Sequence, residues 1–518
     1  MNDTIIDTGF NFDNSYAEQL EGFYVSLKGD KAPAPALVKL NQSLAALLGL
    51  DLVALKESDL AAMFSGGMTL KGASPLAQAY AGHQFGGFSP QLGDGRALLL
   101  AEVIDAQGDR YDIQLKGSGR TMFSRGGDGK AALAPVLREY LLGEAMFALG
   151  VPTTRALAAV TTGEQVYREG MLPGAVLARV ASSHLRVGTF EYFAARGEAD
   201  KVKQLADYTI QRHFPELKDA PARYLGLLRA VCEKQALLVA NWMCLGFVHG
   251  VMNTDNVTIS GETIDYGPCA FIDHYDPAAV FSSIDRQGRY AFGNQSSISQ
   301  WNLARLAETL LPLIHSDQEE SVRLATDEVI AFEARYQSFW LDGMRKKLGL
   351  STIEERDHDL ATALHTAMAG QNVDFTLLFR GLSALVPGYV APGAVVQDKI
   401  SAVPDKGDVE GKLSAVRDLF DDPQAFDQWY ATWLERLARD SMTVDKRIAS
   451  MNAVNPIYIP RNHKVEEALQ AAEQDANYVL FEKLMQVLEK PFEQRDGLED
   501  YVGPAPKEFG PYKTFCGT

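Results

Sequence analysis

The 518-residue chain has little of what marks several large classes of protein. It holds four cysteines, Cys232, Cys244, Cys269 and Cys516, too few and too scattered for a disulfide framework or a zinc cage, so the reducing cytoplasm is the expected compartment. It has no basic surplus: 49 Lys and Arg face 67 Asp and Glu, a net charge of -18, which argues against the cationic footprint of a nucleic-acid binder. Its most apolar segment, QALLVANWMCLGFVHGVM, is interrupted by Asn241 and His249 and is short for a bilayer span. The acidic start MNDTIIDTGFNFDNSYAEQL lacks the basic-then-apolar order of a secretory signal. Neither an internal repeat nor a low-complexity tract stands out. A protein with no nucleic-acid and no membrane partner is expected.

What is present is a chain with the makings of a large core. Hydrophobic residues make up 46% and charged residues 22%, ordinary for a folded protein, and the length exceeds one compact domain. Any phosphate site in so acidic a chain must be a local exception. One exists: Arg96, Lys116, Arg120, Arg125, Lys130 and Arg138 fall in a single stretch with few acids.

Along the chain, Leu37, Leu40, Leu44, Leu47 and Leu48 recur at helical spacing, which predicts a packed N-terminal helix. Residues 82–95 are glycine-rich and suit a loop. ALLLAEVI and RYDIQLK read as two strands joined by the turn DAQGD. After a second glycine cluster, SRGGDGK, the run AALAPVLREYLLGEAMFALG is helical and stops at Gly150 and Pro152. Strand-like pieces follow at RALAAVTTGEQVYRE and GAVLARVA. YLGLLRAVCEKQALLVANWMCLGF is then the longest apolar helix, before the loop HGVMNTDN, a hairpin VTISGETI and the tripeptide Asp265-Tyr266-Gly267. Further helices fill the C-terminal part, and PAPKEFGPYKTFCGT has too much Pro and Gly for a helix and reads as a mobile tail.

Glycine loop, strand lysine, helix carboxylate, long helix, polar loop and Asp-x-Gly follow one another in the order of a protein kinase. Gly93 and Gly95, beside Arg96, offer backbone donors with no side chain in the way of phosphates. Lys116 supplies positive charge, and a helix carboxylate holds it; Glu139 is preferred over Glu144, which lies on another face of the same helix. Asn256 and Asp265 give a divalent cation an amide oxygen and a carboxylate, the rest coming from phosphate and water. A kinase has an Asp two residues after the loop histidine to take the acceptor's proton. Here Val251 stands there and can take none, so ordinary γ-phosphate transfer has lost its base, and Asp255 is the carboxylate left for that work. Each residue alone has a plainer reading: Lys116 as a solvated strand end, Asp128 with Gly129 as a helix cap, Arg179 and Arg186 as surface ion-pair residues, His249 as a structural brace. Their joint order is what lowers those readings.

The motifs YAGHQFGGFSPQLGDGRA, DIQLKGSGRTMFSRGGDGKAAL, REYLLGEAMFALGVPTTRAL, HGVMNTDN, DYGPCAFID and NPIYIPRNH resemble the selenoprotein O family, known in bacteria as YdiU. The resemblance implies an α+β, protein-kinase-like two-lobed fold that binds ATP in reversed orientation and transfers AMP to Ser, Thr or Tyr hydroxyls of protein substrates. It further implies Mg2+ or Mn2+, and for some members UMP transfer from UTP. It places Gly93, Gly95, Arg96, Lys116, Asp128, Gly129, Arg179, Arg186 and Asp265 on the nucleotide, Asn256 and Asp265 on the metal, and Asp255 as proton acceptor. It also implies a redox-active Cys516, with Cys269 as a candidate partner; the second cysteine that some members carry shortly after the Asp-Tyr-Gly segment is missing from YDPAAVFSSID. The expected organisation is an N-terminal extension (1–75), an N-lobe carrying the glycine loop, Lys116 and the Glu139 helix (76–170), a C-lobe (171–330), and a helical C-terminal extension with a mobile tail (331–518), in a monomer. Two other functions fit the same residues: a conventional ATP-dependent kinase with Asp255 as substitute base, and a non-catalytic ATP-binding scaffold.

Overall fold

An antiparallel sheet forms where apolar residues alternate. The computed structural model describes residues 5–388 and 406–515, and its main sheet has eight strands. In chain order these are β1 (Tyr24–Ser26), β2 (Ala36–Leu40), β3 (Leu76–Gln78), β4 (Ala97–Ile104), β5 (Arg110–Lys116), β6 (Ala131–Ala132), β7 (Arg155–Tyr167) and β8 (Met171–Ala181). They lie side by side as β1-β3-β4-β5-β8-β7-β2, with β6 paired to β8. The β4–β5 hairpin registers Ala97 with Lys116. Its turn is closed by the Asp105 carboxylate, which accepts from the Gln107 and Asp109 N–H groups.

Period-two burial splits the sheet's side chains between two cores. Leu98, Leu100, Val176, Ala178 and Val180 pack with Leu44, Leu60 and Phe64 from two short helices on one face. Leu99, Ala175 and Leu177 join the larger core on the other face, which begins at helix α1 (Leu133–Ala148) and continues through the rest of the chain. Below the sheet come α2 (Val187–Ala194), α3 (Ala199–His213), α4 (Arg223–Leu245), α5 (Gln295–Ile314) and α6 (Gln318–Lys347). Helix α4 ends at Gly246, whose φ of 73° supplies the left-handed cap. Near the C-terminus α7 (Asn462–Asp475) and α8 (Val479–Leu488) pack back onto α1. The result is a mixed α/β architecture with a large antiparallel sheet and many helices.

Several expectations need correcting. Leu37 and Leu40 belong to strand β2, paired with β7, and only Gln42–Leu47 is helical because the Asn41 side chain caps it by accepting from Leu44 N–H. The glycine-rich stretch after residue 82 contains a tight hairpin, Gly82–Gln84 with Gly87–Ser89. VTISGETI is a turn closed by the Thr258 hydroxyl, which donates to Glu262 O and accepts from Glu262 N–H. Its arms bridge separate segments, Thr258 to Arg186 and Thr263 to Thr153. Strands β1 and β2 lie in the main sheet, residue 170 sits in the β7–β8 turn, and α6 runs through 330. The tail is docked as far as Thr514: Thr514 bridges Ser282, its hydroxyl donates to Pro268 O, and Tyr512 OH lies 2.5 Å from Glu466. Cys516 lies outside the described residues.

Candidate active site

A cavity of about 440 Å³ opens between the sheet and the loops that follow α4. Strand β5 ends in Lys116 and strand β8 carries Arg179, so both side chains come off one sheet face. Lys116 Nζ donates to Glu139 Oε2 of α1 at 2.5 Å and to Asp265 Oδ1 at 2.6 Å. Arg179 donates to the other Glu139 oxygen and to Gln114 Oε1, both at 2.8 Å. Gln114 in turn donates to Asp94, the residue between Gly93 and Gly95, at 3.2 Å. Glu144 faces away and takes a different cation: Arg155 reaches both its oxygens at 2.7 and 2.8 Å, and Asn41 Nδ2 joins them at 2.8 Å.

These contacts set the charges. Burial alone would raise the Asp265 carboxyl, but the Lys116 and Arg96 cations outweigh it and hold Asp265 far below the usual carboxylate range. Glu139 is likewise lowered, with burial overcome by Lys116 and Arg179. On the opposite wall, burial dominates. The 253–256 loop carries Asp255, whose carboxyl burial pushes up to about 6, with Arg186 opposing. Among the described residues, Asp255 Oδ2 accepts only a long 3.4 Å hydrogen bond from Gln84 Nε2, and its buried Oδ1 has no partner. Arg186 Nη1 donates to the Asp255 backbone carbonyl at 2.8 Å, and its guanidinium sits 4.5 Å over the Tyr80 ring and 3.9 Å from Asp94.

Gly93, Gly95, Arg96 and Lys116 line the cavity, as do Asp128, Gly129, Arg179 and Arg186. Asp255, Asn256, Asp265 and Val251 complete that wall, while Glu139 stands behind Lys116. Arg179 and Arg186 are buried, at 4% exposure each, which removes the surface ion-pair reading. The two glycines of the first loop have a packing reason to be glycine. A Cβ on Gly93 would lie 2.3 Å from the Phe123 ring and one on Gly95 2.7 Å from Phe123 O, so the 121–127 segment closes directly over them. Asp128 accepts from Lys130 N–H and from both Arg168 terminal nitrogens. His249 Nε2 donates to Ile264 O at 2.8 Å, a brace for the loop, and burial pushes the imidazole below its ordinary pKa. Burial pushes the Cys269 thiol up to about 12, an inert environment.

The donor set suits a hard divalent cation. Asn256 donates its Nδ2 to Val251 O at 3.1 Å, which leaves its amide oxygen to accept, and Asp265 keeps one oxygen beyond its bond to Lys116. No group of three or more His, Cys, Asp and Glu ligands occurs among the described residues. Two oxygen ligands match a cation that takes most of its shell from phosphate and water. Sequence reasoning missed Asp94, Gln114, Gln84, Tyr80 and Arg168. Only Asp94 gave a signal, being a carboxylate lodged inside a glycine loop.

A sequence profile of the family described as protein adenylyltransferase SelO matches residues 8–489. The protein nucleotidyltransferase YdiU of Rhizobium johnstonii is 55% identical over 509 residues, covering 98% of this chain and 97% of that one. Its counterpart in Cereibacter sphaeroides (strain ATCC 17029 / ATH 2.4.9) is 56% identical over 511 residues, covering 98% and 100%. The family profile and the relatives' names define the class: the protein is a nucleotidyltransferase enzyme, working on a nucleotide. The chain belongs to the SelO family, the YdiU proteins of bacteria. Among the described residues no helix is long and apolar enough to cross a membrane.

Proposed function

We propose that the enzyme transfers AMP from ATP to Ser, Thr or Tyr hydroxyls of protein acceptors, on a protein-kinase-like two-lobed fold. The observation that carries this reading is the pairing of an apolar Val251 with a buried, under-bonded Asp255 on one loop. The names of the relatives, protein nucleotidyltransferases, support proteins as acceptors.

Lys116, fixed by Glu139, and the guanidinium of Arg179 behind it put positive charge where phosphates lie; Arg96 adds to it from the glycine loop. Asn256 and Asp265 would hold Mg2+ or Mn2+, which supplies Lewis-acid polarisation of the phosphates when bound. Asp255 takes the proton of the attacking hydroxyl. The acceptor oxygen bonds to the α-phosphorus, the bond from that phosphorus to the bridging oxygen breaks, and pyrophosphate departs with the electron pair. The charge of the departing pyrophosphate needs neutralising, and the buried guanidinium of Arg186 is available for that work. A carboxyl poised near 6 suits a base at neutral pH.

ATP labelled separately at the α and γ positions tests the reading. Label entering protein from the α position alone is expected, with pyrophosphate released, and label entering from γ alone would establish a conventional kinase. UTP with Mn2+ in the same assay tests UMP transfer. A preparation that labels nothing in either form while still binding ATP would establish a scaffold.

A further inference from the structure

Beside the cavity lies an element that the transfer chemistry leaves without a role, the hairpin of Gly82–Gln84 and Gly87–Ser89. Its two-residue turn holds Phe85 at φ 51° and Gly86 at φ 85°, the left-handed pair of a type I′ turn, where Asn or Gly is favoured and a bulky first residue is strained. Among the described residues the non-glycine residues with positive φ are Phe85, Arg125, Asp265, Asn372 and Ala476. The first three line the cavity. Strain of this kind persists where function requires the conformation.

The surroundings hold the turn in place. Phe85 N–H donates to Asn253 Oδ1 at 3.0 Å and to the Tyr290 hydroxyl at 3.2 Å. His83 N–H donates to Thr254 Oγ1 at 2.7 Å, and Glu191 joins the His83 ring to the same Thr254 hydroxyl. Gly82 presses on the base itself, since a Cβ there would lie 2.5 Å from Asp255 Oδ1. One edge of the hairpin is thus fastened to the loop that carries Asp255.

The other edge is open. The register pairs Gly82 with Ser89, His83 with Phe88 and Gln84 with Gly87. Gln84 and Gly87 close the turn, so the backbone groups of His83 and Phe88 point outward, away from each other. The outward N–H of His83 is the one that meets Thr254. That of Phe88 faces the opposite way in a two-stranded sheet, with no further strand among the described residues. Phe88 is 42% exposed and Phe85 38%, and Ile284, 55% exposed, lines the cavity mouth.

We propose that an extended segment of the acceptor protein adds to this edge as a third strand, pairing with Phe88, with its apolar side chains against Phe85 and Ile284 and its hydroxyl carried to Asp255. Strand addition of this type takes its affinity from main-chain hydrogen bonds. The proposal rests on the reading of proteins as acceptors. Continuity with that site selects the occupant: Gln84, in the same hairpin, already touches Asp255.

The test uses the full chain, ATP with Mg2+, and a peptide library bearing one central serine in otherwise degenerate sequence. Phe88→Pro removes the outward N–H while leaving the turn-closing bonds, and should raise the KM for peptide roughly tenfold with the Kd for ATP unchanged. Phe88→Ala, which keeps the N–H, should raise it less. With the unaltered enzyme, peptides N-methylated one position at a time should lose transfer at alternate residues, the period of a strand, so the test stands even if Phe88→Pro does not fold. Tolerance of N-methylation throughout, or labelling of folded proteins but of no peptide, would overturn the proposal. Self-labelling that is second order in enzyme and lost in Phe88→Pro would also overturn it, assigning the edge to a second copy. Transfer from the γ position alone would instead sink the AMP reading and leave the N-methyl pattern to judge the docking edge.

Discussion

On the sheet side of the cavity Lys116, Glu139, Arg179 and Asp265 satisfy one another, whereas on the loop side Asp255 is buried with one oxygen unpartnered and Arg186 Nε likewise. On the proposed function, the difference separates two tasks. Positioning a polyphosphate calls for charges already locked in place, and pairing supplies that rigidity. Activating a hydroxyl calls for a carboxylate with spare bonding capacity and a pKa near neutrality, and burial without partners supplies that at a cost in stability. Removing a charge should therefore have opposite effects on stability at the two walls.

The largest effect is expected at Asp265, which belongs to the lysine network and, on the proposed function, to the cation site. Asp265→Ala should lower α-phosphate transfer by about 10³-fold or more while the protein stays folded, as read by label incorporation and circular dichroism. Transfer within tenfold of the parent would break the assignment of the cation to this wall.

Asp255→Asn comes next and sharpens the comparison most. Transfer should fall by about 10²- to 10⁴-fold, yet the nucleotide-free protein should melt at a higher temperature at pH 7. The sign follows from linkage. The folded carboxyl, near 6, lies above its ordinary value of 3.8, so between those pH values the folded state holds the proton that the unfolded state has released. Stability falls as pH rises through that window, and the cost, at most about 3 kcal/mol, is complete above it. The gain from Asp255→Asn should vanish near pH 4, and the parent's transfer rate should rise with pH through a midpoint near 6. A variant less stable than the parent at pH 7 would show that the Asp255 charge is compensated after all.

Lys116→Met should lower transfer by about 10²-fold and, in contrast to Asp255→Asn, lower the melting temperature, because Glu139 and Asp265 then share the remaining Arg179 charge. Asp265, held low by Lys116, contributes stability above the carboxylate range that is lost as pH falls. The variant should therefore show a weaker loss of stability on acidification than the parent.

How much of this the sequence could reveal depended on the range of the interaction. Lys116 and Asp265 were legible because a strand end and an Asp-x-Gly tripeptide carry their chemistry in local order, and the β4–β5 hairpin because alternation and DAQGD are short-range signals. Leu37 and Leu40 misled because a strand flanked by a capped helix can imitate 3.6-residue spacing. The pairing of β2 with β7, which decides the matter, spans more than a hundred residues of sequence. The anchors of the 253–256 loop stayed hidden for the same reason: His83, Glu191 and Thr254 meet only in the folded chain. The docked tail was missed because Pro and Gly exclude a helix but say nothing of a contact such as Thr514 with Pro268.

The choice between Glu139 and Glu144 gives the smallest effect and the cleanest control. Both carboxylates sit on α1 and both hold a cation, Lys116 in one case and Arg155 in the other. Glu144 is tied to Arg155, Asn41 and the Ala156 N–H, joining α1 to strand β7 and the residue before the Gln42–Leu47 helix. None of these lines the cavity that holds Lys116 and Asp255. Glu144→Gln should cost about 1–2 kcal/mol of stability, read as a lower melting temperature, and leave transfer within about twofold. Glu139→Gln should lower transfer about tenfold or more, because Lys116 then leans toward Asp265 alone. Equal losses of transfer in the two variants would mean that α1 acts by its position as a whole, and that the paired charges on the sheet wall are there for packing rather than for the nucleotide.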